Sequence, residues 1–575
     1  MANYFLDNSD LLLQFKRLDL EEVTAILEHD YTLAETYELA PSNYQQAMEN
    51  FEGALELVGE ITGTFVAPRA MSVDHEGAKL ENGEVTYAQG TQEAVQQLAN
   101  AGLMGVIIPH KYGGLNFPAT IYIMMIEMVS QADASLMTLF GYQDVGEAIA
   151  KFASEEIAEE FLIKYCRGEY IGSMVMTEPG AGSDLQSIKL QAYQDDQGQW
   201  RLKGEKQFIS NGCGQVLLVL ARSEPNTSNM FGLSLFVCHG DDTVKVNRIE
   251  HKMGLHGSPT CALYFEDTPC YLVGKRRHGL INVLYTLNHA RFSVAAQGLG
   301  IAENAYQEAL EYAKVREQFG KLIYTIPSVA NLLIDMKVTI ECNRSLLYKS
   351  TQWLDIRNKL EERIDELKAE GKDFSELKIR FNKAAKLIDM LSPMVKYILT
   401  EDANSICYDA QQVHGGMGYM KDMNVERLVR DVRITTIYEG TSQIQILACS
   451  KGVFSDILKE YFDEQAARSY RPELLETGEQ LKKLRAIFED CNQFVQSHED
   501  TNFKEAATKE LVDMYAALYT GYLVMDEAQE IDRKVLIVKR FVTRSLARAH
   551  QAQIAVKQEQ YTDIDQRETI CNVDG

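Results

Sequence analysis
Apolar residues recur along this chain at two different periods, and the period switches twice. Between 41 and 165 the spacing is helical: Ala47, Phe51, Ala54 and Leu55 share a face, and Val58, Ile61 and Phe65 continue it. Pro68 is expected to close that stretch. The run from Gly102 to Pro109, followed by Tyr112-Gly-Gly114, reads as a helix stop and a turn, with helices resuming over 121–130 and 146–165. At Gly172 the period drops to two, and strands are expected over 172–177, 188–193, 200–204, 216–221, 233–237 and 262–265. Such short strands within 166–275 predict a barrel-like all-β unit. From 276 the helical period returns through Leu284, Leu287, Arg291, Val294 and Ala295, and Gly298 and Gly300 permit close helix packing.

Two flanking segments complete the pattern. Residues 1–40 form an acidic, helix-prone lead-in with apolar patches at 11–15 and 23–27, expected to pack on the main body. Residues 453–575 read as further helices, with Leu474, Leu475, Leu481 and Leu484, then 506–525 and 531–555, and a frayed end from 558. The expected organisation is therefore 1–40, 41–165, 166–275, 276–452 and 453–575: mainly α, with one central all-β domain. The charged stretch 354–380 is expected to be a helical insertion between the core helices, with 359–370 salt-bridged and solvated. In the last helix Arg533, Lys534, Lys539, Arg540, Arg544 and Arg548 stand against a single acid, Asp532. The expectation is a packed amphipathic helix with a solvated basic face; docking to an anionic surface is the less favoured reading.

One short stretch carries the candidate chemistry. Arg433 to Tyr438 is β-branched or aromatic, a poor helix interior, and Gly440 turns the backbone. Ser442 and Gln445 have capping-box spacing at the head of an apolar helix. Glu439 thus falls in a turn before a helix N-terminus. It is either a desolvated base with a raised pKa or a helix-entry acid favoured by the dipole.

Charge removes other classes. The net charge is −26, which argues against nucleic acid and against general attraction to anionic lipid. Ten cysteines occur without a C-x-x-C pair, so no zinc knuckle is expected and the thiols are expected to be reduced, as in the cytoplasm. No metal site is expected. The first residues lack a basic-then-apolar leader, and no apolar run is long enough to span a bilayer.

Five motifs, in order, carry a resemblance: Met176-Thr-Glu-Pro-Gly-Ala-Gly-Ser-Asp184, Lys206-Gln-Phe-Ile-Ser-Asn-Gly212, Val315-Arg-Glu-Gln-Phe-Gly-Lys321, Gln412-Val-His-Gly-Gly-Met-Gly-Tyr419 and Tyr438-Glu-Gly-Thr-Ser-Gln443. Together they resemble the acyl-CoA dehydrogenase family, over about residues 41–452. The length and the Leu-Ser-Pro-Met-Val-Lys stretch, 391–396, resemble its large bacterial members of the 3-methylmercaptopropionyl-CoA type. The resemblance implies a helical domain, a β domain and a four-helix bundle, extended at both ends. It implies FAD held by Met174, Met176, Thr177, Gly182, Ser183, Phe208, Ser210, Arg316, Gln318, Phe319, Gln412, Gly415, Gly416, Thr441 and Gln443. It places substrate at Ser183, Asn288, Arg291, Tyr438 and Gly440, and makes Glu439 the catalytic base. Some members carry the base on the helix that here holds Ala290, which cannot serve. Phe208 stands where Trp is common, Ser210 where Thr is, and His256 where Arg is, in a structural role.

The implied reaction is α,β-dehydrogenation of an acyl-CoA to a trans-2-enoyl-CoA, as in fatty-acid β-oxidation. The implied electron acceptor is an electron-transfer flavoprotein, and the implied assembly a homodimer. An acyl-CoA oxidase is the alternative among enzymes. A non-catalytic flavoprotein of the DNA-binding alkylation-response type is the alternative outside them, and the negative charge opposes it.

Overall fold
The expected switch from helix to strand and back is present in the computed structural model, which describes residues 2–559 and 561–572. The first helix used below, α1 (Ser9–Lys16), is capped by the Asn8 side chain, which accepts from the amides of Asp10 and Leu11. α2 (Tyr44–Glu60) starts in the same way at Asn43. It does not end at Pro68. A wide turn, Ile61–Val66, and a tight one, Ala67–Arg69, carry the chain straight into Ala70–Glu76. Pro68 sits at the head of the tight turn, where its missing N–H has no ladder to break.

α3 (Ala119–Ala132) is buried along its whole length. It packs on α5 (Gly279–Val315), and Gly300 permits the approach: a Cβ there would lie 2.2 Å from the Glu127 carbonyl oxygen. α4 (Gln143–Phe152) packs on α5 and leads toward the sheet.

Seven strands form the central unit: β1 (Gly172–Val175), β2 (Gln191–Gln194), β3 (Trp200–Ser210), β4 (Val216–Arg222), β5 (Leu233–His239), β6 (Val244–Ile249) and β7 (Thr260–Val273). β4 pairs with β2 and β5, β2 with β3, and β7 with both β3 and β5, so five strands close on themselves. Closure removes the free edges of that ring. β1 lies parallel to β4, and β6 lies antiparallel on β7. Sequence reasoning missed β6, whose inward side is only half-buried, so its apolar positions are few. It also shortened β3, because Lys206 and Gln207 interrupt the apolar alternation.

α5, α6 (Pro327–Ala369), α7 (Ser375–His414) and α8 (Ser442–Phe454) form the bundle that follows. The 354–380 stretch is solvated over part of its length only, with 368–373 exposed. It is the continuation of α6 and α7 beyond the bundle, and Leu360 and Ile364 are buried there. Lys151 of α4 pairs with Glu361 at 2.8 Å, and Arg380 with Glu22 at 2.6 Å.

The last block holds α9 (Leu475–Ser497), α10 (Thr501–Ala528) and α11 (Asp532–Lys557). α10 and α11 lie on α6, and one apolar cluster runs from Phe5 to Val556. α11 is packed, as expected, but most of its basic residues are paired rather than left to solvent. Arg533 pairs with Glu341 at 2.6 Å, Arg540 and Arg544 both with Asp335 at 2.6 and 2.9 Å. Lys534 is fully buried against Asp10, Glu341 and Glu527, at 2.6, 3.2 and 3.0 Å. Four of the six cations are thus paired with acids of α1, α6 and α10, while Arg548 stays exposed, so the basic face is only partly open to solvent. Beyond 558, Thr562–Gln566 and Arg567–Cys571 are short helical turns; of the end expected to fray, 560 and 573–575 lie outside the described residues. No helix among the described residues is long and apolar enough to cross a membrane.

Candidate active site
The stretch around Glu439 is a turn held open by its neighbours. After a tight turn at Arg433–Thr436, Glu439 takes φ +55° and Gly440 φ +97°. A left-handed residue with a Cβ costs roughly 1–2 kcal/mol, so the conformation needs support. Gln445 supplies it by donating to the carbonyls of both Glu439 and Gly440, at 2.9 and 3.1 Å. Lys396 donates to the Gly440 carbonyl as well, at 2.8 Å. The expected capping box therefore does not form. Thr441 is the N-cap, without a side-chain bond; Ser442 donates instead to Glu401, and Gln445 is committed to the turn.

Glu439 is half-buried as a residue, but its Oε2 is sealed from water and has no hydrogen-bond partner. Burial pushes its pKa up; the positive charges of Lys396 and then Arg291 pull against that rise. Lys396 is itself fully buried, and burial brings it down to about 8. Arg291 donates to Asn288 at 3.3 Å and to Ser392 at 3.4 Å, while its Nε is sealed and unpartnered. Tyr438 donates to Gln297, which in turn holds the Ala134 carbonyl at 3.0 Å. Glu439, Gly440, Tyr438, Asn288 and Arg291, five residues named from sequence, thus meet in one chamber.

The residues expected at the flavin fall in two groups. The first is at the barrel. Met174 and Met176 are buried along and just past β1, and Thr177, Gly182 and Ser183 follow in the loop. Lys206 clamps that loop from β3: it is buried, donates to the carbonyls of Met176 and Leu220 at 2.6 and 2.9 Å, and pairs with Glu178 at 3.0 Å. Glu178 accepts from the amides of Lys189 and Leu190, at 2.7 and 2.9 Å. A break in the β3–β7 register between Lys206 and Ile209 puts Phe208 at φ +61°, with its ring 57% exposed. Ser210 ends β3, and its carbonyl accepts from Ser173.

The second group is at the end of the bundle. Arg316, Gln318 and Phe319 sit in a tight hairpin that pairs Glu317 with Leu322, and Phe319 is 91% exposed. Gln412, Gly415 and Gly416 are exposed at the α7 terminus, where nothing would meet a Cβ at either glycine. A Tyr312–His414 stack, centroids 4.5 Å apart, ties the two turns together. Among the described residues no hydrogen bond joins this end to the barrel loop. Thr441 and the exposed Gln443 begin α8 beside the Glu439 turn.

A flavin dinucleotide fits these surfaces. Open glycine turns leave amides accessible for phosphate, and Phe208 offers a ring face.

Sequence reasoning missed Lys396 and Tyr142. Tyr142 is close to Ser210 and feels the Glu439 charge, and both with burial act on its hydroxyl, so it lies between the barrel and the chamber. Lys396 stands one turn from Ser392 on α7, a spacing that was visible in Leu-Ser-Pro-Met-Val-Lys but had no partner to aim at in the sequence alone.

The comparisons with known proteins agree with this geometry. The N-terminal, middle and C-terminal domain models of acyl-CoA dehydrogenases match residues 54–169, 173–268 and 277–454. The 3-methylmercaptopropionyl-CoA dehydrogenase of Ruegeria pomeroyi is 33% identical over 425 residues, 69% of either chain. The butyryl-CoA dehydrogenase structure from Megasphaera elsdenii is 29% identical, with a TM-score of 0.59 over 70% of this chain and 97% of that one. An acyl-CoA dehydrogenase structure from Bacillus anthracis, complexed with FAD, is 21% identical with a TM-score of 0.75, and covers 91% of this chain and 90% of that one, so the fold is shared through the terminal extensions. Motifs, chamber and relatives lead to one conclusion: the chain belongs to the acyl-CoA dehydrogenase family of FAD-dependent oxidoreductases.

Proposed function
We propose that the chain removes the α- and β-hydrogens of an acyl-CoA thioester, giving a trans-2-enoyl-CoA, with Glu439 as the base. One observation carries this reading: Glu439 Oε2 is sealed, unpartnered and raised in pKa, while Lys396 and Arg291 keep its ionised form within reach. A carboxylate in that state is a stronger base than one in water and has no competing donor. It takes the α-proton, and the turn at Glu439 and Gly440 presents backbone to the thioester as charge moves onto its oxygen. Arg291, fixed by Asn288 and Ser392, contributes positive charge to the same chamber. Bound FAD would supply the acceptor for the hydride leaving the β-carbon. Met176, Thr177, Ser183, Phe208 and Ser210 would hold its ring end, and Arg316, Phe319 and Gln412–Gly416 its dinucleotide end.

The two groups lie on separate surfaces, and the hairpin bearing Phe319 is almost wholly exposed. That supports a homodimer in which each hairpin completes the partner's site. An electron-transfer flavoprotein is the proposed acceptor, and the cytoplasm the proposed location. Glu439→Gln tests the base: it is expected to retain FAD and to lose at least about 10² to 10⁴ in the anaerobic rate of flavin bleaching. Bleaching by the best acyl-CoA at the wild-type rate would remove Glu439 from this role.

A further inference from the structure
Just past the end of β3 the barrel carries a pair of thiols. Ser210 ends the strand, Asn211 follows at φ +53°, and the chain turns through Gly212 to Cys213. Cys261 stands in β7 opposite Ile209, and the Asn211 amide donates to the Pro259 carbonyl at 2.8 Å, so the turn is held against the start of β7. A Cβ at Gly212 would lie 2.8 Å from the Cys261 Cβ; the glycine is what lets the two segments come this close. Cys213 meets Cys261 there, and its Sγ also lies 3.5 Å from the Tyr87 hydroxyl and 3.9 Å from Asn211 Oδ1. Tyr87, from the helical domain, donates to the same Oδ1, and Asn211 Nδ2 donates to the Gly172 carbonyl of β1 at 2.8 Å. The pair is thus fixed in a polar notch between β1, the turn, β7 and Tyr87.

The ten cysteines differ in access. Eight are buried, Cys261 among them at 0% exposure; Cys213 is half-buried, and Cys571, near the end of the chain, is exposed. Cys213 therefore combines access with a thiol neighbour. The bond to Cys261 brings the Cys213 thiol down, against burial and with help from Tyr87, while the same bond and burial push Cys261 well up. Lys252, held on the Ser258 carbonyl at 2.6 Å, brings a positive charge near Cys261. One sulfur is the readier thiolate and the other keeps its proton, which is the division between an attacking and a resolving cysteine. We propose that Cys213 and Cys261 form a peroxide-reactive pair, in which Cys213 is oxidised first and Cys261 closes an intramolecular disulfide. The Cys213 thiolate attacks one oxygen of hydrogen peroxide: an S–O bond forms, the O–O bond breaks, and the leaving hydroxide takes up the proton that Cys213 released. Cys213 becomes a sulfenic acid and the peroxide is reduced to water. The Cys261 sulfur then attacks the Cys213 sulfur; an S–S bond forms, the S–O bond breaks, and the departing oxygen leaves as water with the Cys261 proton. Two thiols and one peroxide give one disulfide and two waters. The disulfide would staple to β7 the turn that follows Ser210.

The pair stands independently of the dehydrogenase reading, and its test needs no turnover. Purified holoenzyme, reduced and then freed of reductant, is exposed to hydrogen peroxide in modest excess, alkylated in denaturant and digested without reduction. Mass spectrometry is expected to find the Cys213 peptide joined to the Cys261 peptide, short of two hydrogens, and to lose that species after dithiothreitol. In Cys261→Ser the sulfenic acid has no resolving partner, so dimedone is expected to label Cys213 at least about tenfold faster than the exposed Cys571 of the same chain. Cys571 is the internal control for access alone. A digest in which Cys571 is oxidised while Cys213 and Cys261 remain free thiols would overturn the inference. So would dimedone labelling of Cys571 ahead of Cys213, or wild-type Cys213 passing to sulfinic acid with Cys261 unlinked. Should Cys261→Ser fail to fold, the wild-type digest decides alone.

Discussion
Lys396 has two tasks at once, and they separate on mutation. Its ammonium holds the Gly440 carbonyl and lowers the pKa of Glu439 from the height that burial alone would give it. Lys396→Met removes both. Glu439 must be ionised to take a proton, so activity falls as pH drops through its pKa. Without the neighbouring charge that pKa rises, and the acid limb of the kcat/KM profile is expected to move to higher pH. A profile that loses height and keeps its midpoint would limit Lys396 to holding the turn. At this scale the sequence was legible wherever a motif fixed the residue, as for Glu439, Arg291 and Phe208. It was silent on Lys396 and Tyr142, whose importance comes from proximity across elements far apart in the chain.

Among the elements, periodicity located the barrel strands because their inner faces are apolar and their turns are polar. It failed where charge is used inward. The 354–380 stretch and α11 both read as solvated from their charge alone, yet part of each is buried and paired with charges of another element. Only the position of Glu341 and Asp335 on α6 shows why α11 is basic. Two outcomes belong here. With Arg533, Lys534, Arg540 and Arg544 engaged, the protein is expected to remain in the supernatant when spun with anionic vesicles at low salt; salt-sensitive co-sedimentation would show that the helix can be freed. The exposed hairpin is the second. Arg316→Ala is expected to lose FAD and to weaken the dimer together, because ligand bound across two chains stabilises their association. Light scattering and flavin absorbance measure the two effects, and a monomer with stoichiometric FAD would contradict the shared site. α10 and α11 cover one flank of the bundle, so a dimer rather than a tetramer is expected.

The whole molecule is fastened by a buried set of charges. Arg344, on α6, pairs with Asp10 of α1 at 2.7 Å, Glu127 of α3 at 2.6 Å and Glu303 of α5 at 2.8 Å. Lys534 of α11 joins the set through Asp10. Asp10→Ala leaves buried cations uncompensated and is expected to cost about 3–5 kcal/mol in urea unfolding. Lys534 and Arg344 hold Asp10 down at about 2, and Lys337 and Arg344 do the same for Glu303, despite burial that pushes both up. Acids with depressed folded pKa values stabilise the fold above their unfolded values, and that contribution is lost as pH falls through the folded ones. Acid unfolding is therefore expected between about pH 4.5 and 2, earlier in Glu303→Gln than its loss of packing would explain. Loss of structure already at pH 6 would point to other groups.

The same fastening sets an order on synthesis. Asp10 leaves the ribosome early, but its partners Arg344 and Lys534 lie far along the chain. At ordinary elongation rates of about 5–20 residues per second, Lys534 follows roughly half a minute to two minutes later. Arg344 reaches the amino-terminal helix first, and until Lys534 follows the buried set lacks one of its cations. The final closure of this protein is thus an event of the released chain, joining its first structured turn to its last long helix.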